Sequence, residues 1–120
     1  LVSDNKTLAH PDSVDSIPTS ADQEDHVSMG ANGARHLLEI LENVTTVIAI
    51  ELLCAAQAVD LREKGPGRLG RGTKITYEFV RERVGFYEKD KEMTPVIQEL
   101  VELINSGSLG EALQNAGIFT

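Results

Sequence analysis

The chain has 120 residues, 41% of them apolar, with 19 acidic against 11 basic side chains and a net charge of −8. That is enough for one small domain, and the acidic balance argues against nucleic acid as a partner, because phosphate binding needs concentrated positive charge. A single cysteine, Cys54, excludes an intrachain disulfide and a thiolate metal site, and three scattered histidines supply no ligand spacing, so no metal is expected.

Residues 1–19 are polar and interrupted by Pro11 and Pro18, and read as a loop or extended arm ahead of a helical region over 20–120. The chain opens at Leu1 without a methionine or a signal peptide, so Leu1 is not read as a natural beginning. In "TSADQEDH", Ser20 stands three residues before Gln23, the spacing of a capping box. Asp22, Glu24 and Asp25 fall where a helix dipole favours negative charge, and Asp22 and His26 are one turn apart. The spacing therefore predicts a helix beginning at Ser20, weakened locally at Gly30 and Gly33.

From Arg35 onward Leu37, Leu38, Ile40, Leu41, Val44, Val47 and Ile48 recur at helical spacing. In "VTTVIAIELLCAAQAVDL", residues 44–61, 13 of 18 side chains are apolar and point in nearly every direction around the helix. Glu51 near the middle, with Gln57 and Asp60 towards the end, argues against a membrane span. A helix from 20 to 64 would be roughly 65 Å long. One that is apolar all round has to be surrounded by protein, either other copies or other parts of a longer chain.

"GPGRLGRG", residues 65–72, ends that helix. It contains a literal G-x-G-x-x-G, but after a helix rather than a strand and with Pro66 inside it, so it reads as a helix stop and linker rather than a dinucleotide site. Its basic neighbours Arg62, Lys64, Arg68, Arg71 and Lys74 read as solvated or paired with carboxylates. Residues 73–90 read as a helix presenting Ile75, Phe79, Val80, Val84 and Tyr87. Thr94 with Pro95 marks another start, and Ser108 with Glu111 a further capping box. No strand pair emerges. The fold class is all-α: a long central helix and shorter C-terminal helices, forming part of an oligomeric bundle.

Glu51 reads as half of an ion pair across a helix interface, and Cys54 as a small core residue. "QEDH", residues 23–26, has two readings. The first is a capped, acidic helix start. The second is a functional cluster, because residues 13–28 are richer in hydrogen-bonding side chains than a cap requires and lie beside a helix that must be buried.

The stretch "LAHPDSVDSIPTSADQEDHVSMG", residues 8–30, closely resembles the signature of the histidine ammonia-lyases, within the aromatic amino acid lyase family. "IAIELLCAAQAVDLR" is similar to the same family's central helix. The resemblance implies helical homotetramers with a shared central bundle, conversion of L-histidine to urocanate and ammonia, and a cytoplasmic enzyme. It also implies a methylidene-imidazolone electrophile built from an internal Ala-Ser-Gly tripeptide. No Ala-Ser-Gly occurs in the 120 residues, so the chain looks like a C-terminal fragment, silent by itself.

By resemblance Glu24 is the catalytic and substrate-binding position, facing the imidazole of the substrate. Gln23 lies near the pocket, while Asp25 and His26 hold Glu24 in place. Relatives acting on phenylalanine carry an amide where Glu24 stands. The chain departs from the family's usual wording at Asp12 and Asp22, where small or amide residues are more familiar. Two other readings remain: a tyrosine or other aromatic amino acid lyase or aminomutase, and a non-enzymatic helical module serving only oligomerisation.

Overall fold

The computed structural model describes residues 1–24 and 26–119, in five α-helices and two short 3-10 turns. The helices are α1 (Val2–Leu8), α2 (Gly30–Leu61), α3 (Arg71–Arg81), α4 (Thr94–Asn105) and α5 (Ser108–Asn115), with 3-10 turns at Asp12–Asp15 and Gly65–Arg68. The all-α expectation holds: among the described residues the only β feature is one isolated bridge between Thr19 and Glu24. The chain divides into two compact units, Leu1–Val44 and Thr45–Thr120, and α2 contributes to both.

The first unit departs from its expected layout in two places. Residues 2–8 are helical where an arm was expected, with Asn43 Nδ2 donating to Asn5 Oδ1 at 2.8 Å to tie α1 to α2. The long helix begins at Gly30, not Ser20. Ser20, Ala21 and Asp22 take left-handed backbone conformations at φ 53°, 54° and 67°, and Met29 does so again at 54°. The physical reason lies in what residues 20–28 lack. Val27 is the only large apolar side chain among them, so a helix there would have no face to bury, and short helices draw most of their stability from such packing. The Ser20–Gln23 capping box therefore does not form; instead the Gln23 amide donates to the Ser20 carbonyl in a turn.

The second unit packs α5 against α3 and α4, and its core holds Ala49, Leu53 and Ala56 of α2 with Val80, Val84 and Leu100. Helix α3 stops at Arg81 instead of running on to residue 90. One local and one long-range interaction end it. The Arg81 guanidinium donates to the Val84 and Gly85 carbonyls, three and four residues further on and both at 3.0 Å, and holds the chain in a turn past the helix. Gln57 grips Tyr87 at the backbone: its Nε2 donates to the Tyr87 carbonyl at 2.8 Å, and its Oε1 accepts from the Tyr87 amide at 3.2 Å.

Two further starts are shifted by about one residue. Met93 rather than Thr94 precedes α4, and Gly107, at φ 78°, precedes α5, so Ser108 is the first helical residue rather than a cap. Glu51 and Cys54 are both exposed on α2, against the expectation of a buried cysteine. The reason is angular: Leu53 and Ala56 face the helices of the unit, and Cys54 points away from them.

Asp60, which loads the polar end of α2, is held in an ion pair with Arg81 at 2.5 Å and accepts a hydrogen bond from the Tyr77 hydroxyl. The Asp60 carboxylate accepts from the neutral phenol, and with burial and its negative charge it raises the Tyr77 pKa above the ordinary 10.0; Arg81 opposes the rise. Unfolding frees a tyrosine of ordinary pKa, so the unfolded state loses its proton first as pH climbs. Stability contributed by this contact is thus complete below about pH 10 and declines above it. With no Trp and two Tyr in the chain, tyrosinate absorbance reads this directly. Tyr77 is expected to ionise later than a free tyrosine, and Asp60→Asn to bring it back towards 10.0.

Candidate functional site

The segment that leads into α2 doubles back on itself. The Thr19 amide donates to the Glu24 carbonyl at 3.0 Å and the Glu24 amide to the Thr19 carbonyl at 3.2 Å. The Thr19 hydroxyl adds a third link to the same carbonyl at 3.3 Å. Between them, Ser20, Ala21 and Asp22 form a left-handed turn. Each non-glycine residue in that conformation costs roughly 1–2 kcal/mol, because Cβ approaches the following carbonyl. Such strain persists only where neighbouring contacts impose it.

Two outer links close the same fold-back. The Val27 amide donates to Ser16 Oγ at 2.7 Å. Beyond it, Asn32 Nδ2 in the first turn of α2 donates to Asp12 Oδ1. The other oxygen of Asp12 lies 3.3 Å from His36 Nδ1, one turn further along the helix, at ion-pair distance but off the direction of a hydrogen bond. Asp12 is 15% exposed and His36 32%. Arg35 donates to the Asn32 side-chain oxygen at 2.6 Å and fixes the orientation of that amide. Gly33 fits here because of the close approach: a Cβ on it would stand 3.1 Å from Asp12 Oδ2.

Glu24 and Gln23 therefore sit at the far end of a cross-linked arm, both exposed within this chain. Among the described residues the Glu24 carboxylate makes no hydrogen bond or ion pair, leaving it available to a ligand. His26 is exposed and forms no bond to Glu24, so the expected bracing from that residue is not present. Backbone pairing with Thr19 holds Glu24 instead. Asp25 lies outside the described residues. A shallow depression of about 360 Å³ at the head of α2 is lined by Val27, Ser28, Met29, Ala31, Asn32 and Arg35.

The aromatic amino acid lyase family model matches residues 1–82. The chain belongs to that family. Aromatic amino acid lyases similar to it include the histidine ammonia-lyases of Natranaerobius thermophilus and Symbiobacterium thermophilum, 55% and 52% identical over 95% of this chain. The solved histidine ammonia-lyase from Trypanosoma cruzi has a TM-score of 0.84 and 40% identity, and covers 95% of this chain. A tyrosine aminomutase from Streptomyces globisporus has a TM-score of 0.83 and 35% identity, again over 95% of this chain. The chain spans about 22% of the length of the curated lyases it matches.

The other candidates carry less. Residues 65–68 form a 3-10 turn immediately beyond α2, with no strand-to-helix cradle for a phosphate. Arg62 donates to the Gly65 carbonyl at 2.7 Å, Arg71 to the Ala116 carbonyl, and Lys74 pairs with Glu78 at 3.7 Å. A groove of about 810 Å³ beside α2, lined in part by Cys54, Gln57, Tyr87 and Met93, shares no residue with the Glu24 arm. Among the described residues no group of His, Cys, Asp or Glu is placed to hold a metal ion. Nor do the residues fit the expected prosthetic group, since the chain holds no Ala-Ser-Gly from which to form it.

Asp12, Ser16 and Thr19 are the residues that sequence reasoning left out of the site. Their partners lie 20, 11 and 5 residues away, and no local motif marks them. The left-handed turn gives a direct test. Ala21→Gly removes the Cβ clash and is expected to slow hydrogen exchange at the Glu24 amide. Ala21→Val is expected to speed it about fivefold to thirtyfold, corresponding to roughly 1–2 kcal/mol of added strain.

Proposed function

We propose that this chain is a segment of a histidine ammonia-lyase, an enzyme that converts L-histidine to urocanate and ammonia in histidine degradation, and that Glu24 meets the substrate. The observation that carries the reading is a carboxylate free of partners among the described residues, held by backbone pairing at the end of a strained, cross-linked arm. A carboxylate is suited to an imidazole: it pairs with the imidazolium form, or accepts from the ring N–H and so selects one tautomer. Glu24 binds and orients the ring and accepts a proton from it, while Gln23 lies at the edge of the same pocket. The methylidene-imidazolone electrophile belongs to a part of the enzyme outside these residues, and the fragment alone is inactive.

Changing Glu24 to Gln in the full-length polypeptide that carries this segment is expected to lower kcat for histidine about a hundredfold or more, with assembly intact. Unchanged turnover would instead favour the purely oligomeric role. The similarity to a tyrosine aminomutase supports a second reading, in which the parent acts on tyrosine. The product separates the two: urocanate from histidine, against coumarate or a β-amino acid from tyrosine.

The homotetramer rests on a different part of the chain. Leu37, Leu41, Val44 and Ile48 follow one another at helical spacing on α2 and are exposed at 54%, 52%, 39% and 41%. Burying such a side chain completely contributes roughly 1.5–3 kcal/mol, so a stripe this long is a strong drive to association. Glu51 is exposed further along the same helix, and its ion pair would then form across the interface. By length and composition alone α2 could cross a bilayer, but its Glu51 and its family argue for cover by protein in the cytoplasm. Leu41→Glu is expected to shift the full-length protein from tetramer to smaller species in sedimentation while helix content stays within a few per cent.

A further inference from the structure

We propose that Asp12 is a positioning residue for Glu24, clamping the base of the arm whose far end carries that carboxylate; this rests on the assignment of Glu24 to the substrate site. The observation is the register of the three links. Asp12 joins Asn32, Ser16 joins Val27, and Thr19 joins Glu24. The paired numbers sum to 44, 43 and 43, which is the pattern of a hairpin folded about a single axis between 21 and 22. Only the innermost link is a backbone pair; the other two depend on one side-chain oxygen each.

The outermost link is the one with chemistry to lose. Asp4, Asp15, Asp22, Glu24, Glu39 and Glu42 of this unit are all exposed, whereas the Asp12 side chain is 15% exposed between Asn32 and His36. Both partners stand on the first two turns of α2, so Asp12 fixes the near side of the arm to the longest helix of the chain. Without it, the arm would pivot about Ser16 and Val27. A carboxylate at the far end turns a small rotation there into a displacement of an ångström or more. A misplacement of that size is worth up to about a hundredfold in rate.

The test is a kinetic cycle in the full-length enzyme. Asp12→Ala is expected to lower kcat for histidine roughly tenfold to a hundredfold, with a smaller change in KM and an unchanged tetramer. Asp12→Asn, which keeps an acceptor for the Asn32 amide, is expected to lose less. Asp15→Asn, on the same 3-10 turn but exposed, is expected to stay within about twofold of the parent. The deciding comparison adds Asp12→Ala to Glu24→Ala. If Asp12 acts through Glu24, the double variant is no slower than Glu24→Ala alone. An additive loss, or an equal loss in Asp15→Asn, would overturn the proposal. Should Asp12→Ala not assemble, Asn32→Ala cuts the same link from the helix side, and failure of both to assemble would show that the clamp holds the fold rather than the carboxylate. Glu24→Ala turning over at the parental rate is a separate result: it removes the site assignment itself, whatever Asp12 does.

Discussion

A helix that is apolar on every side has to be covered on every side, and this chain covers one side only. Of the 32 residues of α2, the chain's own helices bury Ala49, Leu53 and Ala56. Two are alanines, which contribute little area of their own. The larger side chains, from Leu37 through Ile48 to Leu61, are left at the surface. Roughly half-covered already, each would gain on the order of 1 kcal/mol from full burial. The sum is comparable with the whole stability of a small domain. The chain's own helices thus leave most of the apolar surface of α2 uncovered.

The Glu24 arm is the opposite case. A polar segment without an apolar face cannot become a helix by packing, and it is not a regular strand either, since its described residues make only one bridge. Its order comes from side-chain oxygens that reach across the fold-back and from anchorage to the first turns of α2. The backbone is locally strained, and among the described residues the Glu24 carboxylate is left without a partner while the holding groups are kept at a distance from it. A helix carrying Glu24 would have pointed it sideways from a rod; the turn sets it at a tip.

Much of the architecture was legible in the sequence. Apolar spacing gave α2 from Arg35 onward, although the helix stops at Leu61, three residues short of the expected end before Gly65. Pro95 and Gly107 lie within a residue or two of the starts of α4 and α5. The errors have two causes. Ser20 with Gln23 satisfies a local capping rule, but residues 20–28 offer no apolar face for a helix to bury. Val84 with Tyr87 continues a helical period beyond Arg81, but Gln57 reaches Tyr87 across 30 residues, and no short window contains both partners. At the candidate site, Glu24 was legible only through resemblance, because its spacing alone is equally that of a capped helix.

The two units place different demands on the same helix. In the second unit Gln57 and Asp60 spend their polar atoms on Tyr87, Tyr77 and Arg81, so the end of α2 is satisfied within the chain. In the first unit Asn32 donates to Asp12 and His36 stands at ion-pair distance from the same carboxylate, which fixes an arm rather than another helix. Between these ends the exposed apolar stripe carries few polar groups, Glu51 among them. A polar group at each end orients what the helix carries, and the middle is left apolar. Whatever covers that middle has to meet Glu51 with a cationic or hydrogen-bonding group, because burying the carboxylate without one would cost several kcal/mol, more than any one apolar contact on the stripe returns.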